Sequence, residues 1–128
     1  MTEALVLDLA EVGQDDVGRV GGKNASLGEM IQALSASGVR VPPGFATTAS
    51  AYRAHLDAHD LRPRIEAALA RYHEGAASLQ DTGAAIRRLL LDTDFTPDLA
   101  DAIRAGYRRL GESLGTPEPA VAVRSSAT

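Results

Sequence analysis

The chain has 128 residues, of which 45% are hydrophobic and 23% charged, proportions that suit one globular domain and exclude wholesale disorder. Thirteen Lys and Arg against seventeen Asp and Glu leave a net charge of -4, which argues against a nucleic-acid partner, since phosphate backbones select basic faces. The absence of cysteine excludes disulfides, thiolate metal sites and thiol nucleophiles, and no apolar run approaches the ~20 residues of a membrane helix, so the expected address is cytoplasmic.

Residues 4–9 are apolar and predict a first strand; Glu3 and Asp8 interrupt this start and argue against a secretory leader. Residues 11–19 are polar and read as a connector. From Asn24 the pattern turns helical, with Leu27, Met30, Ile31 and Leu34 at helical spacing, Asn24 or Ser26 as cap and Gly38 as stop. Val39-Arg40-Val41 leads into Pro42-Pro43-Gly44, a rigid corner. Residues 45–48 predict a second strand, and Thr48 or Ser50 caps a helix carrying Tyr52 and Leu56. Pro63 opens a helix over 64–72 with Ile65, Leu69 and Tyr72 on one face. Another over 81–91 turns Ile86, Leu89 and Leu90 inward. Thr96-Pro97-Asp98 is a strong start signal, threonine as cap and proline at the first helical position. Leu99, Ile103, Tyr107 and Leu110 then repeat up to Gly111, and Gly115-Thr116-Pro117-Glu118-Pro119 breaks the helix before a last strand in 120–128. The pattern is α/β with more helix than strand.

Two stretches carry chemistry. The first is Val20-Gly21-Gly22-Lys23-Asn24, two glycines and a lysine immediately before a predicted helix. A helix N-terminus leaves about four amides without partners and a partial positive charge, so anions settle there. The Gly21 and Gly22 amides, free of any Cβ, and the Lys23 ammonium therefore suit phosphate. This is not a Walker A loop: Val17 stands where a glycine is needed, and Asn24 where Ser or Thr would hold magnesium. Taken alone, the stretch is read more simply as a glycine turn opening a surface helix with a solvated lysine. The second stretch is Arg124-Ser125-Ser126-Ala127-Thr128, following the β-branched residues of the last predicted strand. Arg124 offers a planar fork of donors for phosphate oxygens, and Ser125, Ser126 and Thr128 add hydroxyls for a phosphate or ribose. By itself this segment also fits an exposed arginine at a fraying terminus.

Other constellations favour structural readings. Phe45 after the proline corner suits a core position better than the wall of a ligand pocket. His55 and His59, four apart, lack a third ligand and read as solvated helix positions, and His73 as a helix-end cation. Arg87, Arg88, Arg104, Arg108 and Arg109 are interleaved with Asp81, Asp98 and Asp101 and read as a solvated face.

Three blocks in order and spacing resemble the N-terminal part of the phosphoenolpyruvate synthase and pyruvate phosphate dikinase family, which also includes rifampicin phosphotransferase. They are Val20 to Met30; Val41-Pro42-Pro43-Gly44-Phe45-Ala46-Thr47-Thr48 with Tyr52; and Ala122 to Thr128. The Lys-Asn-Ala-Ser-Leu-Gly-Glu-Met and Phe-Ala-Thr-Thr wording leans toward the synthase branch. The resemblance implies that residues 1–128 are the helix-rich first lobe of an ATP-grasp domain with a few short strands, incomplete as given. It implies that Lys23 and Arg124 contact the ATP phosphates, supported by Gly21, Gly22, Ser125, Ser126 and Thr128. ATP and Mg2+ follow as cofactors, the metal ligands lying outside this chain. The implied partners are the remaining grasp lobe, a phosphohistidine domain and a pyruvate-binding barrel. The implied reaction converts ATP, pyruvate and water to AMP, phosphoenolpyruvate and phosphate. No catalytic residue is expected here, since none of His55, His59 or His73 stands in surroundings like those of the family's histidine. The sequence departs from the family by stopping where the pattern continues into acidic residues. The alternatives are a related phosphotransferase with another acceptor and a freestanding, non-catalytic nucleotide-binding module.

Overall fold

The computed structural model describes residues 3–128, which divide into two units, residues 3–52 with Pro97–Thr128, and Arg53–Thr96. In the first, β1 (Val6–Asp8) pairs antiparallel with β2 (Phe45–Thr47), with Val6 opposite Thr47, Leu7 opposite Ala46 and Asp8 opposite Phe45. A two-stranded ribbon is marginal alone and must be covered by helices. Between the strands lie two 3-10 turns (Leu9–Glu11 and Gln14–Asp16), a single helical turn α1 (Val17–Val20) and α2 (Gly22–Ser35). The stretch expected to be a plain connector is therefore folded. Asp16 accepts the Gly13 amide at 3.0 Å and the Arg19 guanidinium at 2.9 Å. Those two bonds hold its carboxyl below the ordinary carboxylate range.

Leu9, Val12, Val20 and Ala46 form the buried core, with Leu7, Leu27 and Ile31 packed against it. α2 approaches this core through Gly28, where an added Cβ would lie 2.1 Å from the carbonyl oxygen of Val12 and 2.7 Å from that of Leu9. The absence of a side chain lets the helix rest backbone to backbone on the turn. Gln32 Nε2 ties the same turn down, donating to the carbonyls of Ala10 and Val12 at 3.1 and 3.0 Å. α6 (Pro97–Leu114) begins at the predicted proline and buries Leu99 and Leu110. The Phe45 ring rests on Gly106 of α6, where a Cβ would come within 2.9 Å of it. Phe45 is thus a packing residue, as expected for the residue after the proline corner. Thr48 Oγ1 donates to the Ala4 carbonyl at 2.7 Å and accepts from the Ala51 amide at 3.2 Å, capping α3 (Ala49–Ala58).

The second unit contains the later residues of α3, then α4 (Leu61–His73) and α5 (Leu79–Leu91), which pack on each other. Leu61 is fully buried, and Ile86, Leu89 and Leu90 of α5 are partly so. Ser78 Oγ accepts from the Asp81 amide at 3.0 Å and caps α5. His55 is buried, not solvated as expected. Its ring meets His59 edge-on at 5.0 Å and Phe95 at 5.7 Å. Among the described residues His55 Nδ1 and His59 Nε2 have no hydrogen-bond partner. Burial first, and then the neighbouring His59, pushes the His55 imidazole below its ordinary value.

Several predicted boundaries are corrected. α2 begins at Gly22 rather than Asn24, and neither Asn24 nor Ser26 caps it; the Asn24 side chain turns back to donate to the Val20 carbonyl at 2.9 Å. α4 begins at Leu61, because proline is tolerated in a first turn, where its missing N–H has no intrahelical acceptor. α6 runs past Gly111 and stops before Gly115, whose φ of +71° suits a glycine beyond a helix end. The strand predicted in 120–128 does not form. A strand exists only as one side of a hydrogen-bonded ladder, and among the described residues none lies beside it. Val121 and Val123 stand exposed instead. The described residues are therefore helix-rich with one small sheet, and no helix among them is long and apolar enough to cross a membrane.

Candidate phosphate-binding site

Gly21 shapes the site. Its φ of +85° and ψ of 164° belong to a region that side-chain-bearing residues avoid, and this bend separates α1 from α2 within one residue. The turn leaves Lys23 on the exposed first turn of α2. At the other end of the chain, residues 115–119 fold back over α6: the Thr116 amide donates to the Gly111 carbonyl at 3.0 Å and the Tyr107 hydroxyl to the Pro119 carbonyl at 2.7 Å. From there the segment reaches the start of α2. The Gly22 amide donates to the Ala127 carbonyl at 3.0 Å and the Asn24 amide to Ser126 Oγ at 3.3 Å.

Together these segments border an open cleft of about 400 Å³, within the size range of small-molecule sites. Lys23 and Arg124 line it, with Gly22 and Ser125 beside them. Asn24 and Ser26 add polar atoms, and Leu27 and Met30 form an apolar wall. Both cations are exposed, and among the described residues neither pairs with a carboxylate. The lining contains no Asp or Glu at all. Two uncompensated cations over a partly apolar wall favour an anion attached to something larger, such as a phosphorylated ligand. A hard divalent cation needs oxygen ligands, mostly carboxylates, which this lining does not supply. Among the described residues no three His, Asp or Glu side chains gather elsewhere as a metal site.

The structure thus brings Lys23, Arg124, Gly22 and Ser125 to one cleft. Thr128 and Gly21 do not line it, and Ser126 lies behind it against Gly21. The Gly21 amide donates to the Val17 carbonyl at 2.8 Å and the Gly22 amide to Ala127, so both are engaged within the chain. Sequence reasoning missed Asn24, Ser26, Leu27 and Met30 as lining residues. Of these, Ser26, Leu27 and Met30 follow Lys23 at helical spacing, which already placed them on its side of a helix. Met30, grouped with the buried stripe by its hydrophobicity, is 46% exposed at the cleft.

The model of the family described as pyruvate phosphate dikinase, AMP/ATP-binding domain, matches residues 17–128, a span that includes both walls of the cleft. The chain is 49% identical over 129 residues to a phosphoenolpyruvate synthase of Neisseria meningitidis serogroup B, covering 100% of this chain and 16% of that protein. It is 47% identical over 130 residues to a phosphoenolpyruvate synthase of Synechocystis, covering 98% and 16%. It is 48% identical over 125 residues to a phosphoenolpyruvate synthase of Escherichia coli K12, covering 97% and 16%. The chain therefore spans 16% of the length of these curated relatives. With the matched span running across α2, α6 and the Arg124 segment, the chain belongs to the pyruvate phosphate dikinase AMP/ATP-binding domain family.

Proposed function

We propose that this chain is the ATP-binding portion of a phosphoenolpyruvate synthase, the N-terminal part of an ATP-grasp domain over residues 1–128. The observation that carries the reading is the meeting of Lys23 and Arg124, from opposite ends of the sequence, on one cleft where neither pairs with a carboxylate among the described residues. Lys23 acts as a mobile point charge on the polyphosphate, and Arg124 as a fork holding two of its oxygens. Ser125 adds a hydroxyl donor. Leu27 and Met30 offer apolar contact to the rest of the nucleotide. In phosphoryl transfer the protein's main tasks are positioning and neutralising charge on the phosphate oxygens, and these residues perform that part. Magnesium accompanies the ATP, held by ligands outside these residues. The complete cytoplasmic enzyme, with a second grasp lobe, a phosphohistidine domain and a pyruvate-binding barrel, converts ATP, pyruvate and water to AMP, phosphoenolpyruvate and phosphate in gluconeogenesis.

Calorimetric titration of ATP into the chain and its variants tests this assignment. Lys23→Ala and Arg124→Ala should each weaken binding by ~2 kcal/mol, the scale of a charge-assisted contact. Arg87→Ala should change nothing. Equal affinity in all four proteins would remove both residues from the site.

A further inference from the structure

We propose that Ser126 is a positioning residue, a latch that fastens the segment carrying Arg124 to the start of α2 and thereby sets the arginine on the cleft. This rests on the reading above that Arg124 meets the phosphates of ATP. The first turn of a helix leaves amides without intrahelical acceptors. Here two of them are satisfied from the far end of the sequence, Gly22 by the Ala127 carbonyl at 3.0 Å and Asn24 by Ser126 Oγ at 3.3 Å. The position before the helix is Gly21, which has no side chain to offer as a cap. Its missing side chain is also the socket: a Cβ there would stand 2.2 Å from Ser126 Oγ and 2.5 Å from the Ser126 carbonyl oxygen. Ser126 is partly buried in that socket, while Ser125 and Ala127 on either side are exposed.

Arg124 has no such tie of its own, making no hydrogen bond among the described residues. Upstream, the nearest anchor is the Tyr107 bond to Pro119. The guanidinium is therefore located by two fixed points on its backbone, Pro119 and Ser126. The Gly21-Gly22 pair, which looks like a ligand-cradling motif, serves here as the seat of that latch. Freeing the segment would leave the arginine to be ordered by each incoming nucleotide, at a cost in affinity.

The test measures ATP affinity for the chain carrying Ser126→Ala, Ser126→Thr, Arg124→Ala and the double variant Arg124→Ala/Ser126→Ala, with the thermal unfolding midpoint of each. Ser126→Ala should weaken ATP binding about three- to tenfold, as expected for one lost hydrogen bond. Ser126→Thr, which retains the hydroxyl, should restore it, and the unfolding midpoints should stay together. In the Arg124→Ala background, removing the hydroxyl should have no further effect on affinity. A Ser126→Ala chain that binds like wild type, while Arg124→Ala binds weakly, overturns the latch and leaves the ATP site standing. An undiminished loss in the Arg124→Ala background also overturns it, because Ser126 would then act on the nucleotide directly. Unchanged affinity in Arg124→Ala removes the site and the latch together.

Discussion

Gly28→Ala is expected to lift α2 off the turn beneath it. The new methyl would stand 2.1 Å from the Val12 carbonyl oxygen, 2.7 Å from the Leu9 carbonyl oxygen and 2.8 Å from the Val12 carbonyl carbon. Carbon atoms in comfortable contact stand about 3.5 Å apart, so the backbones must separate by roughly 1 Å. The obstructing atoms are backbone and cannot rotate aside, and the Gln32 bond to the Val12 carbonyl would lengthen with them. Overpacking of this severity belongs at the upper end of the usual range, about 3 kcal/mol, and alanine returns about 1 kcal/mol in helix propensity. The net loss is about 2 kcal/mol, a fall of roughly 5–10 °C in the unfolding midpoint followed by circular dichroism. Gly18→Ala is the matched control. A Cβ there meets nothing within 4 Å, so it should be neutral or stabilise by up to about 1 kcal/mol. A Gly28→Ala chain as stable as wild type would refute the backbone-on-backbone account of how α2, and Lys23 with it, is held.

Three further outcomes follow from the same geometry. Ser78→Ala removes the cap of α5 and should cost about 1 kcal/mol in denaturant unfolding. Gly21→Ala would impose both a positive φ and a collision with Ser126, so hydrogen exchange at the Gly22 amide should rise as its bond to Ala127 loosens. Because burial beside His59 lowers the His55 pKa on folding, its protonation favours the unfolded chain. The stability that neutral His55 supports is complete above the ordinary imidazole value of 6.5 and is lost as pH falls through the lower folded value. Unfolding midpoints between about pH 8 and about pH 5 should therefore fall less steeply in His55→Leu than in wild type.

Much of the local structure was legible where local chemistry decides it. Thr96-Pro97-Asp98 marks the start of α6, Thr48 caps α3, and the apolar runs at both strands fall where the ribbon forms. Where a distant segment decides, the sequence misleads. α2 starts two residues early because its first amides are capped by Ala127 and Ser126 from the far end of the sequence, so Asn24 and Ser26 need not cap it. The β-branched run at 120–123 has every local mark of a strand and lacks only a neighbour. His55 resembled a surface residue because the Phe95 ring that covers it lies forty residues on, in a loop. The two stretches proposed to bind phosphate were recognisable separately from their residue types; that they share one cleft required the path of the chain over α6.

One cleft, walled by the start of α2 and the Arg124 segment, is proposed to receive the phosphates of ATP. Amide chemical-shift mapping of the isotope-labelled chain during ATP titration tests that proposal. Saturable shifts are expected to concentrate in residues 22–30 and 124–127, with α4 and α5 unmoved. Shifts centred on α4 and α5, or none at concentrations that saturate binding, would contradict it.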